Sequence, residues 1–234
     1  MATSGSSDYT RTRNNLLTAA LRIVGAAASG ETPSPTEISE ANDALNDILK
    51  AWTADGLHLW KRTEISNTLI VGQANYTIGT NGQINTTRPT EIVTAWRRDT
   101  SNIDRELTRI SIQEYDRLPN KNTSNGAVIQ YAYEPTRSNA KIYVWPPEST
   151  ANCSIRMRVV LPIEDTDAVS DDVDIPQEWF LALKWSLAAE IGPEYERDLQ
   201  LLAFWKVRAE EERQKVLDFD REQASVFFTP TRRW

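Results

Sequence analysis

A chain of 234 residues that does bond chemistry needs side chains to take protons, attack or hold a metal, and this one carries few. Its single histidine is His58 and its single cysteine is Cys153. A Ser-His-Asp or Cys-His site, or a histidine-rich metal centre, would have to run through His58. Between Leu57 and Leu59, that residue reads more simply as a packing or hydrogen-bonding side chain. One cysteine excludes an internal disulfide framework and a cysteine-rich zinc module. None of the nine glycines stands in a phosphate-loop spacing before Lys-Ser or Lys-Thr.

Carboxylates are the remaining reactive groups. The run Glu164, Asp165, Asp167, Asp171, Asp172, Asp174 has the composition of a calcium loop, because hard cations want clustered carboxylates. Its spacing fails that test: counted from Asp165, the sixth position is Ser170 where a glycine is needed, and the twelfth is Pro176. A solvated loop whose charge favours the start of the next helix is the plainer reading. Glu194, Glu196 and Asp198, or Glu210 to Glu212, point different ways around a helix and cannot converge on one substrate. Helix-surface pairs such as Glu210 with Lys206 and Glu211 with Lys215 suit them better. Arg97, Arg98, Arg156 and Arg158 could form a basic stripe for nucleic acid, but no stacking platform accompanies them, and contacts to a neighbouring subunit are the simpler use. No cofactor and no metal is expected.

The elements that must carry these groups follow from hydrophobic period. Leu16, Leu17, Ala20, Leu21 and Val24 form one apolar helical stripe that stops at Gly25. A second helix starts at Ser34-Pro35 with Glu37 closing a capping box, buries Ile38, Ala41, Leu45, Ile48 and Trp52, and stops at Gly56. Period two then takes over. Strands are expected at Ile65–Val71, Asn75–Ile78, Glu91–Arg97 and Ser154–Leu161, with a hairpin pairing Ile129–Tyr133 to Lys141–Trp145. A short helix capped by Ser111 and Glu114 falls at Ser111–Leu118. Helices return at Pro176, with Trp179, Phe180, Leu183, Leu187 and Ile191 stepping mainly by four. Gly192-Pro193 ends that helix and starts the last, whose stripe is Tyr195, Leu199, Leu202, Trp205, Ala209, Val216 and Phe219.

The expected fold class is α+β. Residues 1–62 form an αα-hairpin, 63–162 an inserted antiparallel sheet or sandwich, and 163–226 an acidic loop and a helical pair completing the bundle. Residues 227–234 form an extended tail. Trp52, Trp60, Trp179, Trp185 and Trp205 are expected in the bundle core or between subunits. The net charge of −7 argues against a protein that wraps phosphate, and residues 163–234 alone carry 9 basic and 17 acidic side chains. No apolar run reaches the roughly 18 residues of a membrane span, so a soluble, cytoplasmically made protein is expected. In the tail, Phe227, Phe228 and Trp234 with Arg232 and Arg233 are residue types that interface hot spots use. The tail either docks a partner or folds back over its own helices.

Leu16-Leu-Thr-Ala-Ala-Leu-Arg-Ile-Val-Gly25, Ala44-Leu-Asn-Asp-Ile-Leu-Lys-Ala-Trp52 and Asp55-Gly56-Leu57 resemble the head-to-tail adaptor proteins of short-tailed bacteriophages. So do Ile175-Pro-Gln-Glu-Trp179 and Leu187-Ala-Ala-Glu-Ile-Gly-Pro-Glu-Tyr195. The family includes packaged-DNA-stabilisation, tail accessory and tail tubular A proteins. The resemblance implies a non-enzymatic virion component, assembled in the host cytoplasm as a ring of about twelve copies. It implies the portal protein and a tail nozzle or tube as partners. Genomic DNA would pass through the lumen without sequence-specific binding, and no membrane is involved. Phe227, Phe228, Pro230, Arg232, Arg233 and Trp234 become the expected portal-docking residues. Asp165, Asp167, Asp171 and Asp172 become candidates for a lumen or inter-subunit surface that repels passing DNA. The competing reading is a virion-associated glycan-binding or cell-wall-cleaving protein, which would need a convergent pair among Glu91, Glu106, Glu114 and Glu134.

Overall fold

The structure is a computed structural model that describes residues 11–28, 30–55, 59–122, 126–168 and 171–220. It is an α+β chain with five α-helices and two sheets among those residues. Two compact units divide it: Met1–Leu49 with Asp165–Trp234, and Lys50–Glu164.

The first unit is helical. α1 (Arg13–Val24) buries Leu16, Leu17, Ala20, Leu21 and Val24, and ends where Gly25 takes a left-handed φ of 77°. α2 (Pro35–Asp55) begins with the expected reciprocal box. The Ser34 N–H donates to Glu37 Oε2 at 2.7 Å, and Glu37 N–H donates back to Ser34 Oγ at 3.3 Å. Gly56, expected to stop this helix, lies outside the described residues. After a 3₁₀ turn at Gln177–Trp179, α4 (Phe180–Ile191) buries most of its circumference, and it packs against both α1 and α5 (Leu199–Phe219).

Two helix starts differ from the sequence expectation. Pro176 does not open an α-helix; its ψ of 153° is extended, so the regular helix waits until Phe180. Gly192-Pro193 opens only a second 3₁₀ turn, Gly192–Tyr195, and Glu196 breaks it at a φ of 50°. The last helix then starts afresh at Leu199, capped by the Asp198 carboxylate on Gln200 N–H at 3.1 Å.

The second unit is a two-sheet sandwich. One sheet has the order β1 (Arg62–Thr68), β9 (Ser154–Val160), β4 (Glu91–Arg98), β5 (Asp104–Glu106), all antiparallel. The other has the order β3 (Ile84–Asn85), β2 (Asn75–Gly79), β8 (Ala140–Trp145), β7 (Gln130–Pro135), β6 (Thr108–Arg109). Tyr76, Ile78, Tyr131, Ile142 and Val144 from the second sheet share one core with Ile92, Ile155, Met157 and Val159 from the first. Between β5 and β6 the chain changes sheets at buried Leu107, whose N–H still bonds Ala95 O at 2.9 Å.

The expected β7–β8 hairpin is present in antiparallel register from Gln130↔Trp145 to Pro135↔Ala140. Three details depart from expectation. The first strand runs Arg62–Thr68, not to Val71, and Ile70 and Val71 are exposed in the turn that follows. Ile129 precedes β7 and faces solvent, while Tyr131 and Tyr133 are buried as expected. The sheet is mixed: β6 pairs with β7 in parallel, because the helix α3 (Ile112–Arg117) forms the crossover that parallel neighbours require. That helix carries the expected Ser111–Glu114 box.

Candidate functional site

Of the residues singled out for function, Phe227, Phe228, Pro230, Arg232, Arg233 and Trp234 lie outside the described residues, as does His58. The structure does place the acidic loop, the four arginines, the candidate glutamates and the helix that leads into the tail.

The acidic loop is pinned from beneath by neutral polar groups. Thr166 is fully buried; its hydroxyl meets Asn42 Oδ1 and Asn46 Oδ1 at 3.2 Å, and its N–H donates to Asn46 Oδ1 at 3.1 Å. Asn46 Nδ2 donates back to Thr166 O at 3.3 Å. Arg13 Nη1 reaches the Asp167 carbonyl at 2.8 Å, and Arg13 N–H bonds Asp171 O at 2.9 Å. Asp171 turns inward and clamps the loop, accepting from the N–H groups of Asp167 and Ala168 at 3.0 and 2.6 Å. Asp165, Asp167 and Asp172 are exposed. Among the described residues no three carboxylate, histidine or cysteine side chains gather as a metal site. Asn46→Ala should remove the acceptor of two Thr166 donors and cost about 1–3 kcal/mol. Hydrogen exchange at Thr166–Ala168 should then accelerate while exchange in the sandwich stays unchanged.

The arginines do not form an open basic stripe. A bulge between Ile92 and Thr94, where β4 pairs with β9, leaves Val93 unpaired and shifts the inward alternation to Ala95 and Arg97. Arg97 therefore enters the sandwich. Its Nε meets Glu148 Oε2 at 2.5 Å and its Nη2 meets Glu148 Oε1 at 3.0 Å, with side chains 6% and 0% exposed. Nη2 also lies 3.0 Å from Cys153 Sγ. Glu148 accepts further from Thr150 N–H at 3.0 Å and Val128 N–H at 3.5 Å. Burial alone would push that carboxyl up, but the Arg97 bond and these backbone donors outweigh it and hold it below the usual range. Burial pushes the Cys153 thiol up, which removes it as a ready nucleophile.

Two of the other arginines have partners within the chain. Arg98 makes a two-pronged pair with Asp104 at 2.6 and 2.5 Å, and Arg156 meets Glu64 at 2.9 Å across β1 and β9. Arg158 is exposed. Strand β9 neighbours β1 and β4, so Tyr131 and Tyr133 lie in the opposite sheet, not beside these arginines.

Three of the four glutamates of the glycan-cleaving reading are engaged within the chain. Glu114 caps α3, and the Ser111 N–H and hydroxyl hold its carboxyl below the usual range, the wrong direction for a general acid. Glu134 accepts the Tyr143 hydroxyl at 2.9 Å; burial, then that bond, push the phenol up to about 12. Glu91 pairs with Arg109 at 3.4 Å. Glu106 sits opposite Trp96, five residues along β4 from Glu91 and so roughly 15 Å away, against the ~5–9.5 Å of a hydrolytic pair. On α5, Glu212 is buried between Arg208 and Lys215, both at 2.8 Å, and Glu211 and Glu210 pair with Arg208 and Arg213. Surface pairing holds there, with different partners from those the spacing suggested.

The feature that sequence reasoning missed is the outer side of α5. Its inner face, Trp205, Ala209, Glu212 and Val216, is buried. Leu199 and Phe219, assigned to the same stripe by period, are 80% and 75% exposed. Leu199, Ala203 and Val207 form a second stripe at steps of four, with Leu201 and Phe204 beside it. The signal was present in Leu-Gln-Leu-Leu-Ala-Phe-Trp-Lys-Val-Arg-Ala209, which is apolar on nearly every side. Among the described residues no helix is long and apolar enough to cross a membrane.

Among the described residues, Arg97, Arg98 and Arg156 are paired within the chain, and part of the outer side of α5 is exposed apolar surface. A comparison with curated proteins finds no match. The family model described as SU10 adaptor protein matches residues 11–233, which takes in both helical ends and the sandwich between them. The chain belongs to the SU10 adaptor protein family, a family of phage head-to-tail adaptors.

Proposed function

We propose that the chain is a structural ring component of a phage virion, lying beneath the portal of a filled capsid. There it closes the exit after packaging and joins the portal to a tail nozzle or tube. The family match over residues 11–233 is the observation that carries this reading. About twelve copies, made in the host cytoplasm, surround a lumen through which genomic DNA passes without being read. Phe227, Phe228, Pro230, Arg232, Arg233 and Trp234 dock on the portal, aromatic anchors first. Exposed Asp165, Asp167 and Asp172, with Asp171 clamping their loop, repel DNA from the lumen or meet the neighbouring subunit. No catalytic step is assigned.

Native mass measurement, on the protein alone and mixed with its portal ring, tests the reading. A discrete complex with one adaptor per portal subunit is the expected result. Phe227→Ala with Phe228→Ala should weaken it by roughly 30-fold or more, the loss of about 2 kcal/mol from hot-spot residues. A protein that stays monomeric and ignores the portal overturns the reading and returns attention to the sandwich as a binding module.

A further inference from the structure

Arg13 opens α1, yet it is only 5% exposed. Its Nη1 donates to Asn42 Oδ1 at 3.3 Å and to the Asp167 carbonyl at 2.8 Å, both of them neutral acceptors. Nε is enclosed without an acceptor, and Nη2 makes no hydrogen bond. Among the described residues no carboxylate pairs with this guanidinium. Arg97, buried to the same degree, has Glu148. A buried cation is ordinarily paired, because little else offsets the hydration it gives up. Arg13 lacks that partner.

The guanidinium is not sealed off. Arg13 lines an open cleft of about 490 Å³ in the helical unit, whose walls come from α1, from the segment before α2 and from the first turns of α2. The lining includes the hydroxyl residues Thr18, Thr32 and Ser39 and the apolar residues Pro33, Pro35 and Ile38. Asn14 lines it too, and its Oδ1 is a second enclosed polar atom without a partner.

Charge selects what can enter. Arg13 is the single cation of the lining, and exposed Asp167 stands in the same wall, with exposed Asp165 and Asp172 in the same acidic loop. A nucleic-acid backbone would bring several negative charges against those carboxylates. One carboxylate matches one guanidinium in charge and in planar geometry. The cleft also falls in the roughly 300–1,000 Å³ range of ligand sites, far more than a carboxylate alone needs. A carboxylate on a short hydrocarbon stem, carried by an otherwise uncharged stretch of chain, uses both the cation and the apolar wall.

We propose that this cleft takes a glutamate or aspartate side chain from a segment of another protein chain, its carboxylate bonded to Arg13 Nη2. The proposal rests on the helical unit alone and does not depend on the portal reading.

NMR of the full ¹⁵N-labelled chain at constant ionic strength tests it. Sodium propionate, which is the glutamate side chain in isolation, replaces sodium chloride. The amide signals of Arg13, Thr32 and Ser39 should shift and saturate, half-way at a concentration on the order of 10–100 mM, as one charge-assisted contact gives. Propionamide, of the same shape without the charge, should leave them in place. A capped Ala-Glu-Ala peptide should reach half-saturation at a several-fold lower concentration. Arg13→Gln should abolish the response. Ser39→Trp should abolish it too, and because Ser39 is exposed on the cleft wall the buried network stays intact, so lost binding is separable from lost fold. Shifts that propionamide reproduces, or that inorganic phosphate gives at lower concentration than propionate, overturn the proposal. A native chain that stays silent while Asp167→Asn responds overturns it as well, since the Asp167 carboxylate is then the missing partner. Propionate binding with no gain from the peptide would limit the cleft to free small carboxylates and overturn the protein segment as its occupant.

Discussion

Arg97→Met will cost about 3–5 kcal/mol of stability at neutral pH, because it strands the Glu148 carboxylate with its side chain wholly buried. Leaving a buried charge uncompensated is far more costly than the small net worth of a made pair. The variant carries a diagnostic pH signature. In the native chain the Glu148 carboxyl is held below its ordinary value, so the pair's contribution is full above the unfolded carboxyl range and is lost as pH falls through the depressed folded value. In Arg97→Met the opposing effect of burial dominates, the folded value rises, and the loss of stability grows as pH rises through it. Acidification should therefore weaken the native sandwich while narrowing the deficit of the variant. Urea unfolding between pH 4 and 8, with hydrogen exchange in β4 and β9 locating the change, reads both. A deficit that does not vary with pH would mean that Glu148 finds another cation or water, and that the pair is not what holds this end of the sandwich. Replacing both residues with Met should not restore full stability, since the Thr150 and Val128 N–H groups would lose their acceptor.

The position of Arg97 marks where reading by local period stops working. Its neighbours Glu91–Arg98 are legible as a strand, yet the side facing the core is set by a bulge at Val93 that exists only in the pairing with β9, some sixty residues away. Local devices were legible for the converse reason. The Ser34–Glu37 and Ser111–Glu114 boxes close within three residues, and Gly25 ends α1 by its own backbone conformation. Strand β6 is absent from the sequence expectation because nothing local distinguishes a two-residue parallel bridge from a loop. Among functional residues, the acidic loop was visible as charge, but its anchors Arg13, Asn42 and Asn46 come from helices more than 110 residues earlier. The outer side of α5 was hidden by its own richness, since a segment apolar on all sides offers two stripes and period alone does not say which one the fold buries.

Which stripe α5 buries is decided where it turns back on α4, and Gly192 is the residue on which that turn depends. Its φ of −53° is open to any residue, so backbone freedom is not the reason for glycine here. Space is the reason. A Cβ at this position would stand 2.7 Å from Leu202 Cδ2 and 2.9 and 3.0 Å from the Trp205 ring, all on α5. Replacing a glycine in a helical conformation with alanine ordinarily gains about 0.4–1 kcal/mol by restricting the unfolded chain. Overpacking of this severity costs about 1–3 kcal/mol, so Gly192→Ala should be net destabilising despite the better helix former. Thermal unfolding gives the sign directly. Adding Leu202→Ala removes the nearest contact and should recover part of the loss, but only part, because the Trp205 ring is aromatic, buried and unable to swing aside as a leucine methyl can. A Gly192→Ala variant as stable as the native chain would mean that α5 can ride outward on α4 at little cost. Trp205 would then no longer fix which side of α5 faces out, and the stripe of Leu199, Ala203 and Val207 would be one of two interchangeable faces.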